Sequence, residues 1–240
     1  MVHVEAENQR STIDVHQRGK ASQISKLTDD QKVALDEQYN VWTLLKGSDA
    51  LDGVGSLITK RTNWLNNLKT QYGTFDISNF KPQGLNSTDV PSTTYSEMLG
   101  EYSNSIDNTT KQGYLNGLVK SGSTVPVKET FNIGDELYKI VPKGEPVNSY
   151  SAFFMTKAEF EALETVADIE QKLGLPLVSH SVEYDVFKIT ATQQAKAFES
   201  TIANTLEKTY TTTGGSKQML VIDRSKWSPA VKVKTIMPNQ

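Results

Sequence analysis

The chain has 240 residues, a formal net charge of −3 at pH 7 and a pI near 5.7, with 37% hydrophobic and 22% charged residues. That length can bury a core in one large domain or two small ones, and the acidic balance argues against a broadly basic nucleic-acid binder. The absence of cysteine excludes disulfides, thiolate nucleophiles and sulfur-rich zinc sites, and no run approaches the roughly 20 apolar residues of a membrane span.

The opening Met1-Val2-His3-Val4-Glu5-Ala6-Glu7-Asn8 lacks the plan of a signal peptide, so an export address would lie outside this chain, as in a piece of a longer protein. Residues 1–27 are polar and weakly periodic and read as a lead-in. Thr28-Asp29-Asp30-Gln31 is a capping-box pattern, and Leu35, Tyr39, Trp42 and Leu45 then follow at helical spacing until Gly47. Ser48 or Asp49 can cap a second helix whose apolar face runs Leu51, Val54, Ile58, Leu65, Leu68 and Tyr72 before Gly73. A short connection favours an antiparallel pair, with Trp42 and Trp64 assigned to the core. Residues 74–92 are turn-rich. Further helices are predicted over Tyr95–Tyr102 and Lys111–Lys120, each weakened by the glycines at 100, 113 and 117. Ser121-Gly122-Ser123-Thr124 before Pro126 reads as a linker, closing a helical domain over 28–122.

Beyond the linker the pattern becomes α+β, in a domain over 128–240. Glu136–Val141 and Ser151–Met155 read as strands. Thr156-Lys157-Ala158-Glu159 is a second capping box, opening a helix that buries Phe160, Leu163 and Val166, with a shorter one over Ile169–Leu173. Val182–Ile189 alternates apolar and polar residues as a half-buried strand does. A short helix is expected near Thr192–Phe198, then the loop Gly214-Gly215-Ser216-Lys217-Gln218 feeding a buried strand over Met219–Ile222, and a last strand over Ala230–Ile236. The two glycines allow a tight turn and a close backbone approach, and Gln218 is expected at the mouth of a rigid strand.

Walker, H-E-x-x-H, G-x-S-x-G and G-x-G-x-x-G patterns are absent. With His3 and His16 in the lead-in, His180 is the one histidine of the second half, which leaves no three-histidine metal centre there. No metal and no cofactor are expected. Taken singly, Lys139 reads as a solvated strand residue, Ser151 as a turn residue, and Phe153 and Phe154 as core; the order of the blocks is what carries a functional reading.

Leu137-Tyr138-Lys139-Ile140-Val141, then Ser149-Tyr150-Ser151-Ala152-Phe153-Phe154-Met155-Thr156, then Gly214-Gly215-Ser216-Lys217-Gln218, resemble the three motif blocks of ADP-ribosyltransferase-like toxins. Leu173-Gly174-Leu175-Pro176 through Ile189, followed by Gly-Gly-x-x-Gln, is most similar to the tuberculosis necrotizing toxin group of NAD glycohydrolases. Comparable modules form the C-terminal warheads of polymorphic and contact-dependent growth inhibition toxins. The resemblance spans about residues 128–236 and implies an ADP-ribosyltransferase-like split β-sheet with short helices. It places Lys139 toward the NAD phosphates or ribose, where transferases carry arginine; a point charge replaces a bidentate fork there. Tyr150, Ser151 and Phe153 would form the nicotinamide pocket, with Gly214 and Gly215 close to the ligand. Gln218 would stand at the transferases' catalytic glutamate position, followed by Met219 where the group often has an aromatic residue, and His180 is the further catalytic candidate.

An amide can orient a ribose hydroxyl at an oxocarbenium-like transition state without adding charge. No carboxylate lies within two residues of Gln218, which tilts the acceptor toward water. The expected activity is therefore hydrolysis of NAD or NADP, as substrate and not cofactor, to nicotinamide and the ADP-ribose product. The alternatives are an ADP-ribosyltransferase acting on a macromolecule and a non-enzymatic interaction module. The resemblance also implies export within a larger bacterial protein, action in the target-cell cytoplasm, a cognate immunity protein and an entry region over 28–122 that contacts a membrane protein of the target cell; the acidic balance and the scarcity of histidine argue against a nucleic-acid partner.

Overall fold

The computed structural model describes residues 50–73 and 75–238, and the chain divides into two compact units between Lys60 and Arg61. The lead-in, the helix expected after Thr28 and the cap at Ser48 or Asp49 lie outside the described residues. Helix α1 (Ala50–Tyr72) follows the predicted spacing, with Leu65 and Leu68 buried. Gly73 ends it at φ 73°, its N–H donating to the Lys69 carbonyl at 2.8 Å, a left-handed position that glycine adopts without a Cβ clash. None of the described helices is long and apolar enough to cross a membrane.

Within the second unit the fold is α+β, with every described strand pair antiparallel. A four-stranded sheet runs in the order β2 (Val127–Phe131), β6 (Ala195–Thr201), β9 (Lys217–Leu220) and β4 (Phe153–Phe154). A three-stranded sheet runs β10 (Val231–Ile236), β5 (Tyr184–Thr190), β3 (Glu136–Pro142), and a small one joins β1 (Phe80–Pro82), β7 (Thr205–Glu207) and β8 (Tyr210–Thr212). The helices are α2 (Ser92–Gly100), α3 (Asn108–Lys120), α4 (Lys157–Glu161) and α5 (Val166–Lys172).

The period-two alternation of the strands sorts the apolar residues into three clusters, which set the layers. Leu137 and Ile189 of one sheet meet Phe154, Ala195, Ala197 and Met219 of the other, with Trp227 closing the end. On the opposite face of β3 and β5, Tyr138, Ile140, Tyr184 and Val186 are covered by Phe160 of α4 and Val166 and Ile169 of α5. On the outer face of the four-stranded sheet, Phe198 and Leu220 are covered by Met98 of α2 and Leu115, Leu118 and Val119 of α3. The order is helix pair, sheet, sheet, helix pair, and each buried leucine or phenylalanine contributes about 1.5–3 kcal/mol.

Several expectations differ from the structure. The segment read as a linker is tied down: Ser123 N–H donates to the Thr201 carbonyl at 2.8 Å, Thr201 N–H to Thr124 Oγ1 at 2.8 Å, and Ala203 N–H to the Ser121 carbonyl at 2.8 Å. Because α2 and α3 cover the sheet that carries Gln218, residues 84–121 belong with the strands, and the chain divides at Lys60/Arg61 and not at 122–128. The helix expected near Thr192–Phe198 is strand β6: small Ala195 and Ala197 pack between the two sheets, and that burial overrides the helix preference of Ala-Lys-Ala-Phe-Glu. The helix opened by Thr156 stops at Glu161, and Val166 starts a separate helix under a Thr165–Asp168 capping box. Trp64, assigned to the core, is 38% exposed and stacks on His180.

Candidate functional site

Where the edge of the four-stranded sheet meets α3 and β3, a cleft of about 610 Å³ opens. Its size is within the range of small-molecule pockets. One wall is Gly113, Tyr114, Gly117, Leu118 and Ser121 of α3 and its end; another is Lys139, Phe153 and Phe154; a third is Leu173–Pro176; Gln218 stands at the base. The i, i+4 glycines that weakened the α3 assignment lie on this wall.

Gln218 sits inside β9, opposite Ser200 of β6, on the face it shares with Leu220 beneath α3, and is 4% exposed. Its amide nitrogen donates to Ser121 Oγ at 2.9 Å and Ser200 Oγ at 3.0 Å. The Ser121 hydroxyl donates to the Leu118 carbonyl at 2.6 Å, so its oxygen acts as acceptor toward Gln218. That relay fixes which way the amide faces. The Gln218 carbonyl oxygen keeps its acceptor capacity, for it makes no hydrogen bond among the described residues. Ser121 and Ser200 were not singled out in the sequence, since a contact between residues so distant in sequence leaves no local pattern.

Lys139 follows Leu137 on the face of β3 turned toward the second sheet, which is why a residue read as solvated is half-buried. Its ammonium donates to the Phe153 carbonyl at 3.0 Å and lies 5.6 Å from the Phe154 ring centre. Burial first, and the Arg224 guanidinium second, bring its pKa down to about 8. Phe153 is 40% exposed on the cleft, whereas Phe154, also in the lining, is almost wholly buried.

The other expected site residues lie elsewhere. Tyr150 is 89% exposed, and Ser151 bonds weakly to Asn148 Oδ1 at 3.5 Å; neither lines the cleft. Gly214 has φ 62°, and a Cβ there would come within 2.5 Å of the Ile202 carbonyl, so this glycine serves a close approach of backbone to backbone and not of ligand to loop. Gly215 likewise stands off the cleft, its N–H donating to the Ile202 carbonyl at 2.9 Å.

His180 does not line the cleft either. Its ring stacks on Trp64 at 5.9 Å and meets Tyr210 edge-on, with Nε2 3.3 Å from the Leu175 carbonyl. Nδ1 lies 3.5 Å from Glu170 Oε2, a contact that favours the imidazolium, yet Glu170 is already engaged by Arg61 and by the Tyr184 hydroxyl. Burial therefore prevails and lowers the His180 pKa to about 4, leaving a neutral ring that packs.

No Asp, Glu or His lines the cleft. Two carboxylates reach the residue before Gln218: Glu159 accepts from the Lys217 N–H at 3.0 Å, and Glu199 is paired with the Lys217 ammonium. Among the described residues no group of three His, Cys, Asp or Glu is placed to hold a metal ion.

No protein-family model matches the chain, and no curated protein matches it in sequence. Among solved structures, it is similar to Rhs1-CT in complex with its cognate immunity protein RhsI1, at 17% identity over 52% of this chain and 89% of that one, with a TM-score of 0.36. It is also similar to Tse6 in complex with Tsi6, at 16% identity over 59% of this chain and 98% of that one, with a TM-score of 0.36.

Proposed function

We propose that this chain is a toxin effector that hydrolyses NAD or NADP to nicotinamide and ADP-ribose or its phosphate. The observation that carries the reading is Gln218: a neutral side chain at the base of an acid-free cleft, its nitrogen held by two serines and its carbonyl oxygen left to accept.

The chemistry suits a cleft without a carboxylate. As the C1′–N bond of NAD breaks, its electron pair stays on the ring nitrogen, which turns from a pyridinium into neutral nicotinamide, so the leaving group needs no proton. What needs stabilising is the oxocarbenium-like ribose. The Gln218 carbonyl accepts a hydrogen bond from a ribose hydroxyl and holds the sugar, at a position where its partial negative charge faces the developing cation. Phe153, exposed on the wall, offers a face to the nicotinamide. Water then bonds to C1′ and one proton passes to solvent. Because Glu159 and Glu199 are engaged at Lys217 and stand off the cleft, no carboxylate is at hand to activate a protein acceptor, which supports hydrolysis over transfer.

An immunity protein that closes this cleft is the proposed partner in the producing cell, and delivery into the cytoplasm of a target cell is the proposed route. The test is to incubate the full chain with NAD and follow free nicotinamide, comparing wild type with Gln218→Ala. The expected result is release that falls about 100- to 1,000-fold in the variant, the scale of losing one transition-state donor or acceptor. Label from NAD appearing on a macromolecule would establish a transferase instead, and no nicotinamide from a folded wild type would refute the enzyme.

A further inference from the structure

One row of α3 runs away from the glutamine, and it is bare. Gly113, Gly117 and Ser121 stand four residues apart on the helix and its cap, and Ser121 is the residue that accepts from the Gln218 amide. At 1.5 Å per residue, the two glycines lie about 6 Å and about 12 Å further along the wall. Both line the cleft, and a Cβ added to either would meet nothing within 4 Å. Packing therefore requires neither glycine, although each weakens the helix relative to alanine. What the pair keeps is open space on the cleft side of the helix, where a flat group can lie against backbone.

Between them, Tyr114 leaves its side chain 59% exposed on the same wall. Its ring rests on Tyr102, with 6.5 Å between centres and 30° between planes. Phe80 and Pro82 of β1 line the cleft as well, and neither acid nor cation stands among these residues. An uncharged, ring-bearing surface takes the face of a heteroaromatic base and not a phosphate. With Phe153 on the Lys139 wall, the cleft offers a ring on two separate walls. Gln218, 4% exposed and with its carbonyl oxygen unpaired among the described residues, faces into it from the base.

We propose that Gly113, Tyr114 and Gly117 form a base subsite, on which the adenine of a dinucleotide stacks while its other ring lies at Phe153. Tyr114 supplies the stacking face, and the glycines leave the room that the base occupies. That the base is adenine rests on the proposed hydrolase reading, whereas the bare, uncharged wall stands apart from it. The AMP half takes no part in breaking the C1′–N bond, so the subsite acts through affinity and selects a dinucleotide over a mononucleotide.

The experiment measures nicotinamide release by the full chain from NAD and from nicotinamide mononucleotide, which keeps the scissile bond and lacks the AMP half. Wild type is compared with Tyr114→Ala, Tyr114→Phe and Gly113→Leu, the last filling the bare row while favouring the helix. Tyr114→Ala and Gly113→Leu should lower kcat/KM for NAD by about 5- to 150-fold, the range of one base–aromatic stack, and should do so through KM. Tyr114→Phe should keep the wild-type value, all four proteins should hydrolyse the mononucleotide alike, and Gly113→Leu should melt no lower than wild type. An equal fall on both substrates would mean that the substitutions act through the fold or through Gln218, and would overturn the subsite. NAD turnover untouched by both substitutions would overturn it too. Calorimetry on the same preparations, with ADP-ribose against ribose 5-phosphate, separates the subsite from the reaction. ADP-ribose should bind wild type more tightly, and that margin should shrink by the same factor in Tyr114→Ala and Gly113→Leu; a margin absent from wild type, or unchanged in both variants, would also overturn the subsite. Nicotinamide release with an unchanged margin leaves the hydrolase standing without the subsite; a margin that shrinks without any release keeps the subsite and removes the hydrolase.

Discussion

The hydrogen of the Ser121 hydroxyl is taken by the Leu118 carbonyl, and this detail decides how Gln218 presents itself. Ser121→Ala removes the acceptor that discriminates NH₂ from C=O, so the amide can turn over and show its nitrogen to the ligand. Nicotinamide release should then fall by about tenfold, the worth of roughly one hydrogen bond, with the melting temperature nearly unchanged; an unaltered rate would mean that Ser200 alone orients the amide. His180 makes a contrasting case. With its folded pKa lowered from 6.5 to about 4, the unfolded chain binds the proton first as pH falls, so stability is full above about pH 6.5 and declines down to about pH 4. The slope is about 1.4 kcal/mol per pH unit from this residue. Urea midpoints at pH 7 and pH 5 should therefore converge in His180→Gln relative to wild type, while nicotinamide release at pH 7 survives the substitution; loss of release in a folded variant would return His180 to the catalytic machinery. Lys139, Phe153 and Gln218, which line the cleft, each sit in an ordered block of the sequence. Ser121 and Ser200 carry no such signal, because their meaning lies in a partner brought near by the pairing of β6 with β9.

Two glycines separate an element's local preference from its surroundings. A Cβ on Gly117 of α3 would meet nothing within 4 Å, so Gly117→Ala should stabilise the helix by up to about 1 kcal/mol, the difference between the two residues in a helix interior. Gly117→Phe would project into the cleft and should block nicotinamide release without unfolding the chain. A Cβ on Gly122 would lie 2.8 Å from Ser200 Oγ and 3.5 Å from the Gln218 amide nitrogen. Gly122→Ala should cost about 1–3 kcal/mol by overpacking and lower the rate by displacing Ser200, as urea denaturation and turnover would read together. If Gly122→Ala were harmless, the segment from 121 to 124 would behave as the linker its Ser-Gly-Ser-Thr composition suggests. Helix α1 was legible from its apolar steps of three and four, and β3 and β5 from their apolar runs, although both strands bury side chains on two faces. Strand β6 was read as a helix because it lies between two strands and between two packed layers, where small Ala195 and Ala197 fit and propensity loses to burial. The three-residue strands β1, β7 and β8 are too short to show any period.

At the scale of the molecule, the question is how much chain the cleft requires. Cutting at 128 removes Leu115, Leu118 and Val119, which cover Phe198 and Leu220, together with Ser121, so the fragment 128–240 should be unfolded and silent. The part of α1 from Arg61 onward is bound in as well. Arg61 pairs with Glu170, which is 2% exposed and also accepts from the Tyr184 hydroxyl at 2.6 Å, and its Nε donates to the Ser181 carbonyl at 3.1 Å. The Arg61 guanidinium lies 4.0 Å from the centre of the Trp64 ring, and Trp64 also stacks on His180. A buried pair of this kind adds little over a well-packed apolar substitute, but removing one partner strands the other. Arg61→Ala should therefore destabilise the unit by about 3–5 kcal/mol through an uncompensated Glu170. Adding Glu170→Gln should recover a large part of that loss, since an amide leaves no charge in the interior and still accepts from Tyr184. Chemical denaturation of the two single variants and the double one gives the coupling directly. Because Glu170 lies on α5, and Leu173–Pro176 after it form a cleft wall, the single variant should also weaken NAD turnover, and the double should restore it in step with stability. A cost below about 1 kcal/mol for Arg61→Ala would show that Leu65 and Leu68, and not the ion pair, hold this part of α1 in place.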